Sequence, residues 1–259
     1  MPMIKRLLHP LRLSLGRFVI PPERLQPINP INTLTLFEKV AQFVASEKIE
    51  GDYLEFGVFE GWGFSRAFFA LKTAFELRRA ETSHNSSRED ARERQAIWDN
   101  MRFFAFDSFE GLPALEGLDA GGTDFKKGQY AAGVEVFRSK IHGYGVPLDR
   151  VKCIPGWFDQ TCTPETFAKH KITKAAVIHI DCDLYSSTKS VLNVLEPVLQ
   201  DGTILVFDDW FAFKGNPRRG ECRAFNEWTA TLEGRYTFTQ YHSEGYCRNS
   251  FIASQVLAD

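Results

Sequence analysis

The chain has 259 residues, of which 44% are apolar and 14% aromatic, and its formal net charge is −2. This length suits one large α/β domain or two small ones, and the near-neutral charge gives no reason to expect a nucleic-acid partner. The five cysteines are odd in number, scattered and form no C-x-x-C pair, which argues against a disulfide framework and a structural zinc site. This pattern favours a reducing compartment, so we expect a cytoplasmic protein.

The first 32 residues form a distinct N-terminal arm and connector. Residues 1–20 are basic and interrupted by Pro10, and residues 21–30 are rich in proline. No apolar run approaches the roughly 20 residues that span a bilayer, so no stable membrane insertion is expected. The arm is typical of a surface or subunit-packing segment, with membrane contact or targeting as the alternative. Together with the first helix it suggests a homodimer.

Residues 33–259 are predicted to form a single domain of alternating strands and helices. Asn32 or Thr33 is a candidate cap for a first helix with apolar residues at helical spacing. Short apolar runs predict strands over 53–56, 102–106 and 151–154 and in the runs that start at 175 and 203. Longer amphipathic runs predict helices over 64–79 and 186–199. Ser186 or Ser187 is the expected cap of the last of these helices. This alternation predicts a doubly wound, mostly parallel sheet.

Near the end of the chain the pattern changes. Residues 235–241 and 246–252 alternate in the manner of strands and flank a short turn at 242–245. They predict an antiparallel hairpin added to the sheet edge.

Two segments do not follow the core pattern. Residues 80–100 are charged and polar, with a loop-like stretch at 84–87, and predict a surface excursion. Residues 111–133 hold many glycines just after the second strand, where loops of an open α/β sheet border the ligand crevice. We interpret them as a possible substrate lid, with a plain surface loop as the alternative.

Two of the strand-like runs end in acid. Asp181 and Asp183 follow the run that starts at 175, and Asp208 and Asp209 follow the run that starts at 203. If these strands are parallel, their carboxylates meet at one sheet edge, where like charges at ~4 Å repel by roughly 4 kcal/mol per pair. A hard divalent cation is the simplest compensation, so the pattern predicts a metal site.

A second candidate site follows the first strand. Its end, Glu55, leads into a glycine-containing turn through Gly63 that matches neither G-x-G-x-x-G nor a P-loop. Glu55 can accept from a cationic amino group, or it can be a solvated strand-end acid. Asp107, at the end of the second strand, can accept from the two hydroxyls of a ribose. A ligand with an amino group and a ribose but no phosphate fits both acids, and S-adenosylmethionine has that description.

Five motifs in order resemble the macrocin O-methyltransferase family. They cover about residues 33–230 and lie at 54–58, 107–113, 156–161, 181–188 and 208–210. The resemblance implies S-adenosylmethionine- and magnesium-dependent methylation of a sugar hydroxyl, or another vicinal diol, in natural-product or glycan modification. It also implies the class I methyltransferase (Rossmann-like) fold, a seven-stranded sheet that ends in a reversed hairpin. The implied partner is a small hydroxylated, sugar-bearing acceptor.

The resemblance also implies roles for individual residues. Glu55 would bind the methionine amino end, and Asp181, Asp208 and Asp209 would hold Mg²⁺. The remaining cofactor-binding candidates are Gly57 and Gly61 in the loop against the cofactor, Ser65, Asp107 at the ribose, Ser108, and Trp157 and Phe158 near the adenine.

The catalytic base has three candidates: Asp181, Asp183 and His179. Asp181 is favoured because it ends the strand beside the metal site, whereas Asp183 could instead cap the following helix. His179 shares a strand face with Asp181 and could be an auxiliary base, a partner of the ligands or a core histidine.

Two other functions fit parts of the pattern. Asp181–Cys182–Asp183 also suits an Asp-x-Asp glycosyltransferase, but that function explains neither Glu55 with its glycine loop nor Asp208–Asp209. A non-catalytic S-adenosylmethionine-binding protein would keep Glu55 and Asp107 without needing the acids of the metal site.

Overall fold

The structure is a computed structural model, and it describes residues 34–85, 88–121 and 123–256, with only the backbone of 81–85. The predicted arm, residues 1–32, and the candidate caps Asn32 and Thr33 lie outside the described residues. Thr35–Asp259 forms one compact unit.

A single seven-stranded sheet organises this unit, in the spatial order β3-β2-β1-β4-β5-β7-β6. The strands are β1 (Asp52–Phe56), β2 (Phe103–Asp107), β3 (Val151–Pro155), β4 (Ala175–Ile180), β5 (Ile204–Phe207), β6 (Tyr236–Glu244) and β7 (Arg248–Gln255). The first five pair in parallel, whereas β7 pairs antiparallel with both β5 and β6. The predicted α/β sheet with its C-terminal hairpin is therefore confirmed.

Helices cover both faces of the sheet, since apolar side chains on each face must be buried. The described α-helices are α1 (Leu36–Ser46), α2 (Trp62–Asn85), α3 (Arg88–Asn100), α4 (Val134–Gly143), α5 (Phe158–Thr161), α6 (Pro164–His170), α7 (Tyr185–Leu192) and α8 (Gly220–Thr231). One core lies between the sheet and α1, α2 and α4, and the other lies between the sheet and α6, α7 and α8. No helix within the described ranges has the length and apolarity needed to cross a membrane.

Helix α1 begins later than the sequence suggested. Its N-cap is Thr35, which forms a reciprocal capping box with Glu38: the Glu38 N–H donates to Thr35 Oγ1 at 3.4 Å, and the Thr35 N–H donates to Glu38 Oε2 at 2.7 Å. The box satisfies two helix-end donors at once, which explains why the helix starts here.

The described residues of the segment 80–100 are helical, so the predicted loop-like stretch is wrong at 84–85, and residues 86–87 lie outside the described residues. The segment contains the end of α2 and the whole of α3, where Ile97 is buried. Trp98 packs against the ring of Phe68 at 5.6 Å, and the Arg150 guanidinium lies 4.1 Å from the Trp98 ring centroid. Arg88, Glu89, Arg92, Glu93 and Asp99 are exposed, so composition alone could not distinguish this helix from a loop.

Helix α7 is shorter than predicted. It ends at Leu192, and a separate 3₁₀ turn follows at Glu196–Val198 with Pro197 in its first turn. Proline lacks an N–H and disrupts the preceding helical turn, which accounts for the break.

Candidate active site

A cleft of about 560 Å³ opens at the carboxyl ends of the parallel strands. This is where ligands bind in open α/β sheets, and the volume is ordinary for a small-molecule site. The cleft is lined by Gly57, Phe59, Asp107, Ser108, Gly111, Leu112, Pro113, Tyr130, Trp157, Phe158, Asp159, Gln160, Asp181, Cys182, Asp183, Ser186, Ser187, Ser190, Asp208, Asp209 and Tyr246.

Asp107 joins the two loops on one side of the cleft. Its Oδ2 accepts from the N–H groups of Val58 at 2.7 Å and Phe59 at 3.2 Å, and its Oδ1 accepts from the N–H of Phe109 at 2.7 Å. A carboxylate offers about four lone-pair sites. Three backbone donors therefore leave one site of Asp107 for a ligand hydroxyl.

The two glycines of the first loop have different surroundings. Gly57 lines the cleft at φ +90°, and a Cβ there would lie 1.8 Å from the carbonyl oxygen of Asp181. Only glycine permits this contact between the ends of β1 and β4. Gly61 instead faces the core, because its Cβ would lie 2.4 Å from Ile141. Ser65 is also buried off the cleft, and its hydroxyl donates to the carbonyl of Gly61 at 2.8 Å.

Glu55 lies beneath the cleft rather than along its wall. It is 1% exposed, and its Oε2 accepts a hydrogen bond from the Tyr53 hydroxyl and lies 3.4 Å from His179 Nδ1. The structure thus pairs the Glu55 carboxylate with protein groups.

The other predicted cofactor residues do line the cleft. The Ser108 hydroxyl donates to the carbonyl of Gly111 at 3.0 Å. Trp157 and Phe158 form the wall where α5 begins, and this wall presents aromatic surface to the cavity. Such surface suits a planar base.

The acids at the ends of β4 and β5 converge as predicted. Two groups of possible metal ligands have their ligand atoms within 4.8 Å of one another: His179, Asp181 and Asp208, and Asp181, Asp183 and Asp209. Asp208 and Asp209, which follow the last residue of β5, belong to different groups. Asp181 belongs to both groups.

Asp208 has cationic partners. The Nε of Arg248 donates to its Oδ1, and His179 Nε2 lies 3.6 Å from the same oxygen. Burial alone would raise the pKa of Asp208, but these two side chains outweigh it and lower the pKa to about 2. Arg248 in turn donates to Glu244 at 3.1 Å.

His179 is enclosed between two carboxylates. It is 1% exposed, is not a cleft-lining residue, and meets the ring of Phe37 edge-on at 5.1 Å. Burial would lower the pKa of His179, but Glu55 and Asp208 outweigh burial and raise it to about 10. Its position is that of a cation held between acids rather than a base at the cavity surface.

The other three acids face one another. Burial, then the charge of Asp208, raises the pKa of Asp181 well above its usual range. Burial and Asp209 raise the pKa of Asp183 to about 9, and burial and Asp208 raise that of Asp209 to about 6. The pKa values of these three carboxyl groups are raised because the described residues around them compensate their negative charge poorly.

Glu221 is a site residue that sequence reasoning missed. It is fully buried at the start of α8, where its Oε1 accepts from the N–H of Cys182 at 3.1 Å and its Oε2 accepts from the N–H of Asp209 at 2.9 Å. One carboxylate thereby holds the two acid-bearing turns together. A strand-end pattern cannot reveal it, because Glu221 comes from a later helix.

The segment 111–133 is anchored over the cleft at its middle by Asp119. The buried carboxylate of Asp119 accepts from the N–H groups of Tyr185 at 2.7 Å and Ser186 at 3.1 Å. The prediction that Ser186 or Ser187 caps α7 was therefore wrong, as was the alternative role of Asp183 as the cap. Asp183 instead has a left-handed backbone, φ +60°, and faces the cleft.

Arg219 provides a second anchor. Its guanidinium donates to the backbone carbonyls of Leu118 and Ala120, at 2.9 and 2.6 Å, and packs over the ring of Phe213 at 4.8 Å. Arg223 pairs with Glu227 at 2.7 Å. These arginines therefore stabilise the fold around the site.

The four-aspartate edge fits a hard divalent cation. Such ions prefer oxygen ligands, and Asp181, Asp183 and Asp209 supply only carboxylate oxygens. The other group includes an imidazole and an Asp208 already paired with Arg248. The predicted set of Asp181, Asp208 and Asp209 shares two residues with the all-oxygen group.

Solved structures with the same fold define the class of protein. The calicheamicin methyltransferase CalS11 superposes with a TM-score of 0.59 at 22% identity, over 97% of this chain and 93% of that one. The O-methyltransferase NovP gives 0.57 at 20% identity, over 85% and 78%. At this identity the likeness concerns the fold, which is that of class I methyltransferases.

The family follows from a match in sequence. Residues 91–230 match the model of the macrocin-O-methyltransferase (TylF) family. The chain belongs to this family, as its motifs indicated.

Curated relatives match parts of the chain. A tetracenomycin C rhamnosyl 4'-O-methyltransferase of Streptomyces olivaceus is 34% identical over 42% of this chain and 42% of its own length. The demethyldecarbamoylnovobiocin O-methyltransferase of Streptomyces niveus is 26% identical over 70% and 60%. The mycinamicin III 3''-O-methyltransferase of Micromonospora griseorubida is 28% identical over 62% and 56%. The matched part spans between 42% and 60% of these relatives' lengths.

Proposed function

We propose that the protein is an S-adenosylmethionine-dependent O-methyltransferase that uses Mg²⁺ to methylate a hydroxyl of a sugar-bearing natural product. Family membership supports the reaction class, and the names of the curated relatives support the acceptor class. The observation that carries the proposal is the convergence of four aspartates on a cleft whose other wall is aromatic.

The cofactor would lie along the wall formed by the β1–α2 loop, Asp107 and α5. S-adenosylmethionine supplies an electrophilic methyl group, whose bond to sulfur breaks with the electron pair remaining on sulfur. The open lone pair of Asp107 would accept from a ribose hydroxyl, and Trp157 and Phe158 would flank the adenine. Glu55 and His179 would support this wall from beneath, since both are buried.

The metal would be held by Asp181 and Asp209, with Asp183 or Asp208 as the third carboxylate. Mg²⁺ would lower the pKa of an acceptor hydroxyl and stabilise negative charge on its oxygen. Arg248 and His179 both contact Oδ1 of Asp208, so its Oδ2 would be the oxygen offered to a metal, whereas Asp183 already groups with Asp181 and Asp209. The variants Asp183→Glu and Asp208→Glu keep the negative charge and change only the position of the carboxylate. They therefore test whether the position of each carboxylate matters for the metal.

The acceptor proton would pass to Asp181 or Asp183. Both line the cleft, where the acceptor would bind. His179, which is buried behind them, would hold Asp208 and Glu55 in position rather than take the proton.

The test is methyl transfer by the full-length chain with rhamnose-bearing and other sugar-bearing acceptors, with Mg²⁺ or with chelator. We expect turnover with Mg²⁺ and little with chelator, and we expect calorimetry to detect S-adenosylmethionine binding in both. Binding of S-adenosylmethionine with no turnover on any acceptor would favour a non-catalytic protein. Full turnover in chelator would refute the metal requirement and leave the methyltransferase assignment intact.

A further inference from the structure

We propose that His179, Asp181 and Asp208 form a second metal site, which binds a first-row transition-metal ion such as Co²⁺ or Zn²⁺. We call it the imidazole site, and it differs from the all-carboxylate group of Asp181, Asp183 and Asp209 in its nitrogen ligand. The inference goes beyond the proposed function, because metal binding here can be measured whether or not the chain transfers methyl groups.

The ring nitrogen Nε2 of His179 is the first observation. The imidazole is 1% exposed, and its Nε2 has no hydrogen-bond partner among the residues that the structure describes. Oδ1 of Asp208 lies 3.6 Å from this nitrogen, beyond the usual range of a hydrogen bond. Buried polar atoms are nearly always satisfied, so an exception calls for a partner that the protein itself does not supply. A metal ion between Nε2 and the acids is such a partner.

The other nitrogen of the ring is placed as in metal-binding histidines. Nδ1 of His179 lies 3.4 Å from Oε2 of Glu55, and the same oxygen accepts a hydrogen bond from the Tyr53 hydroxyl. Histidine ligands commonly direct one ring N–H at a carboxylate, which fixes the tautomer and makes the other nitrogen a better donor to a metal. A proton on Nδ1 therefore leaves the lone pair of Nε2 to the ligand group that it forms with Asp181 and Asp208.

The separations among the three side chains suit one ion. A ligand atom of each lies within 4.8 Å of the other two. Two donors that share an ion at about 2.1 Å are roughly 3.0–4.2 Å apart. The 3.6 Å between Nε2 of His179 and Oδ1 of Asp208 falls in this range. That oxygen accepts one hydrogen bond, from Arg248, and keeps a second lone pair for a metal.

The charges around the ring favour a cation at this point. Glu55 and Asp208 lie on opposite ring nitrogens of His179, and Asp181 completes the ligand group. A divalent ion would replace the proton on Nε2, which passes to solvent. The acids would then face two positive charges where the imidazolium supplies one.

The two groups of ligands prefer different metals. Carboxylate oxygens alone suit Mg²⁺, whereas an imidazole beside carboxylates suits Co²⁺ or Zn²⁺. Asp181 belongs to both groups, so its two oxygens can bridge two ions. Asp181 and Asp208 line the cleft, which gives an ion a path to Nε2 of His179 behind them, while Phe37 meets the ring edge-on at 5.1 Å.

The test uses Co²⁺, because its paramagnetism reports which groups bind it. The full-length chain without an affinity tag is stripped of metal, saturated with Mg²⁺ and then titrated with Co²⁺, and proton NMR spectra are recorded in water. We expect stoichiometric Co²⁺ to produce a strongly shifted, exchangeable resonance from the Nδ1–H of a metal-bound imidazole. Absence of this resonance would overturn the inference.

Three variants assign the resonance, and the circular dichroism spectrum of each checks its folding. His179→Gln should lose the resonance and weaken Co²⁺ binding. His142→Gln, at an exposed histidine on α4, is the matched control and should keep both. Asp183→Asn alters only the all-carboxylate group and should also keep the resonance. A resonance that persists in His179→Gln would overturn the inference.

Glu55→Gln keeps the test decisive if His179→Gln does not fold. It retains the imidazole and replaces the carboxylate beside Nδ1, so Co²⁺ affinity should fall by about 10–100-fold and the resonance should move. An unchanged affinity together with an unchanged resonance would refute the site. Failure of the proposed function would appear separately, as absence of S-adenosylmethionine binding or of methyl transfer, and neither enters these measurements.

Discussion

The two sides of the cleft use carboxylates in opposite ways. On the β1–β2 side, Asp107 accepts from three backbone N–H groups. On the β4–β5 side, Asp181, Asp183 and Asp209 face one another, and burial raises the pKa of each. An acid that accepts mainly from backbone donors maintains the scaffold, and Asp107 keeps one lone pair for a ligand, whereas acids that face other acids are available for a cation and for proton transfer.

The largest expected effect comes from removing an acid that faces other acids. Asp181→Asn should lower kcat by about 10²–10⁴-fold, because it removes a proposed ligand and a candidate base. Asp159→Asn is the matched control, since Asp159 also lines the cleft but is exposed and lies outside both ligand groups. Wild-type turnover by Asp181→Asn would remove Asp181 from the mechanism. A pH–rate profile of Asp183→Asn would then decide whether Asp183 is the base.

The second prediction concerns stability against pH. The pKa values of Asp183, about 9, and Asp209, about 6, lie above that of an aspartate in the unfolded chain. At a pH between the unfolded and the folded pKa of each residue, the folded state therefore binds more protons than the unfolded state. Their stabilising contribution is complete below the unfolded pKa and is lost as pH rises. His179 acts in the same direction, because its pKa is raised to about 10.

Thermal unfolding in chelator should therefore show a Tm that falls from about pH 5 to about pH 8. Mg²⁺ should raise the Tm, and more at pH 8 than at pH 5, since it binds the deprotonated acids. A Tm that rises with pH in chelator, or a Mg²⁺ effect independent of pH, would contradict the proposed electrostatics of this side.

The third prediction removes the residue that joins the acid-bearing turns. Glu221→Gln keeps one carbonyl acceptor but turns an amide N–H₂ toward a backbone N–H of Cys182 or Asp209. We expect a loss of about 1–3 kcal/mol in unfolding free energy and a weaker Mg²⁺ affinity. Glu227→Gln, which removes a solvent-exposed partner of Arg223 on the same helix, should cost less than about 1 kcal/mol. Equal losses in the two variants would argue against the joining role.

The smallest effect on activity is expected from Tyr246, an exposed side chain that lines the cleft. Tyr246→Ala should leave the Tm unchanged, because the side chain is 92% exposed, and should raise KM for the acceptor with little change in kcat. Tyr144→Ala is a suitable control, being an exposed tyrosine outside the cleft lining. An unchanged KM in Tyr246→Ala would exclude Tyr246 from acceptor binding.

The sequence predicted the parts of the molecule that depend on local patterns. The apolar runs located the strands, and the rule that parallel strands end at one edge predicted that Asp181 and Asp208 lie close together, as they do. The hairpin could also be predicted from the sequence, because residues 235–241 and 246–252 alternate in the manner of strands and flank a turn.

The parts it missed depend on contacts between distant residues. Asp119 caps a helix 66 residues further along, and Glu221 accepts from Cys182, 39 residues earlier. Neither residue has a neighbour in sequence that signals its role. The hydroxyl of Ser65, a cofactor-binding candidate implied by the family resemblance, donates to the carbonyl of Gly61 at the start of α2, a bond between neighbouring residues that the sequence pattern does not predict.

Arg248 has a consequence for how the protein is made. The ribosome synthesises it forty residues after Asp208, so the guanidinium that pairs with Asp208 is made only after both β4 and β5. We expect the acids of the β4–β5 edge to gain this partner only when β7 pairs with β5. Ribosome-bound chains arrested before residue 248 should therefore be protease-sensitive at this edge, and the arrival of one hairpin should convert them to the resistant form.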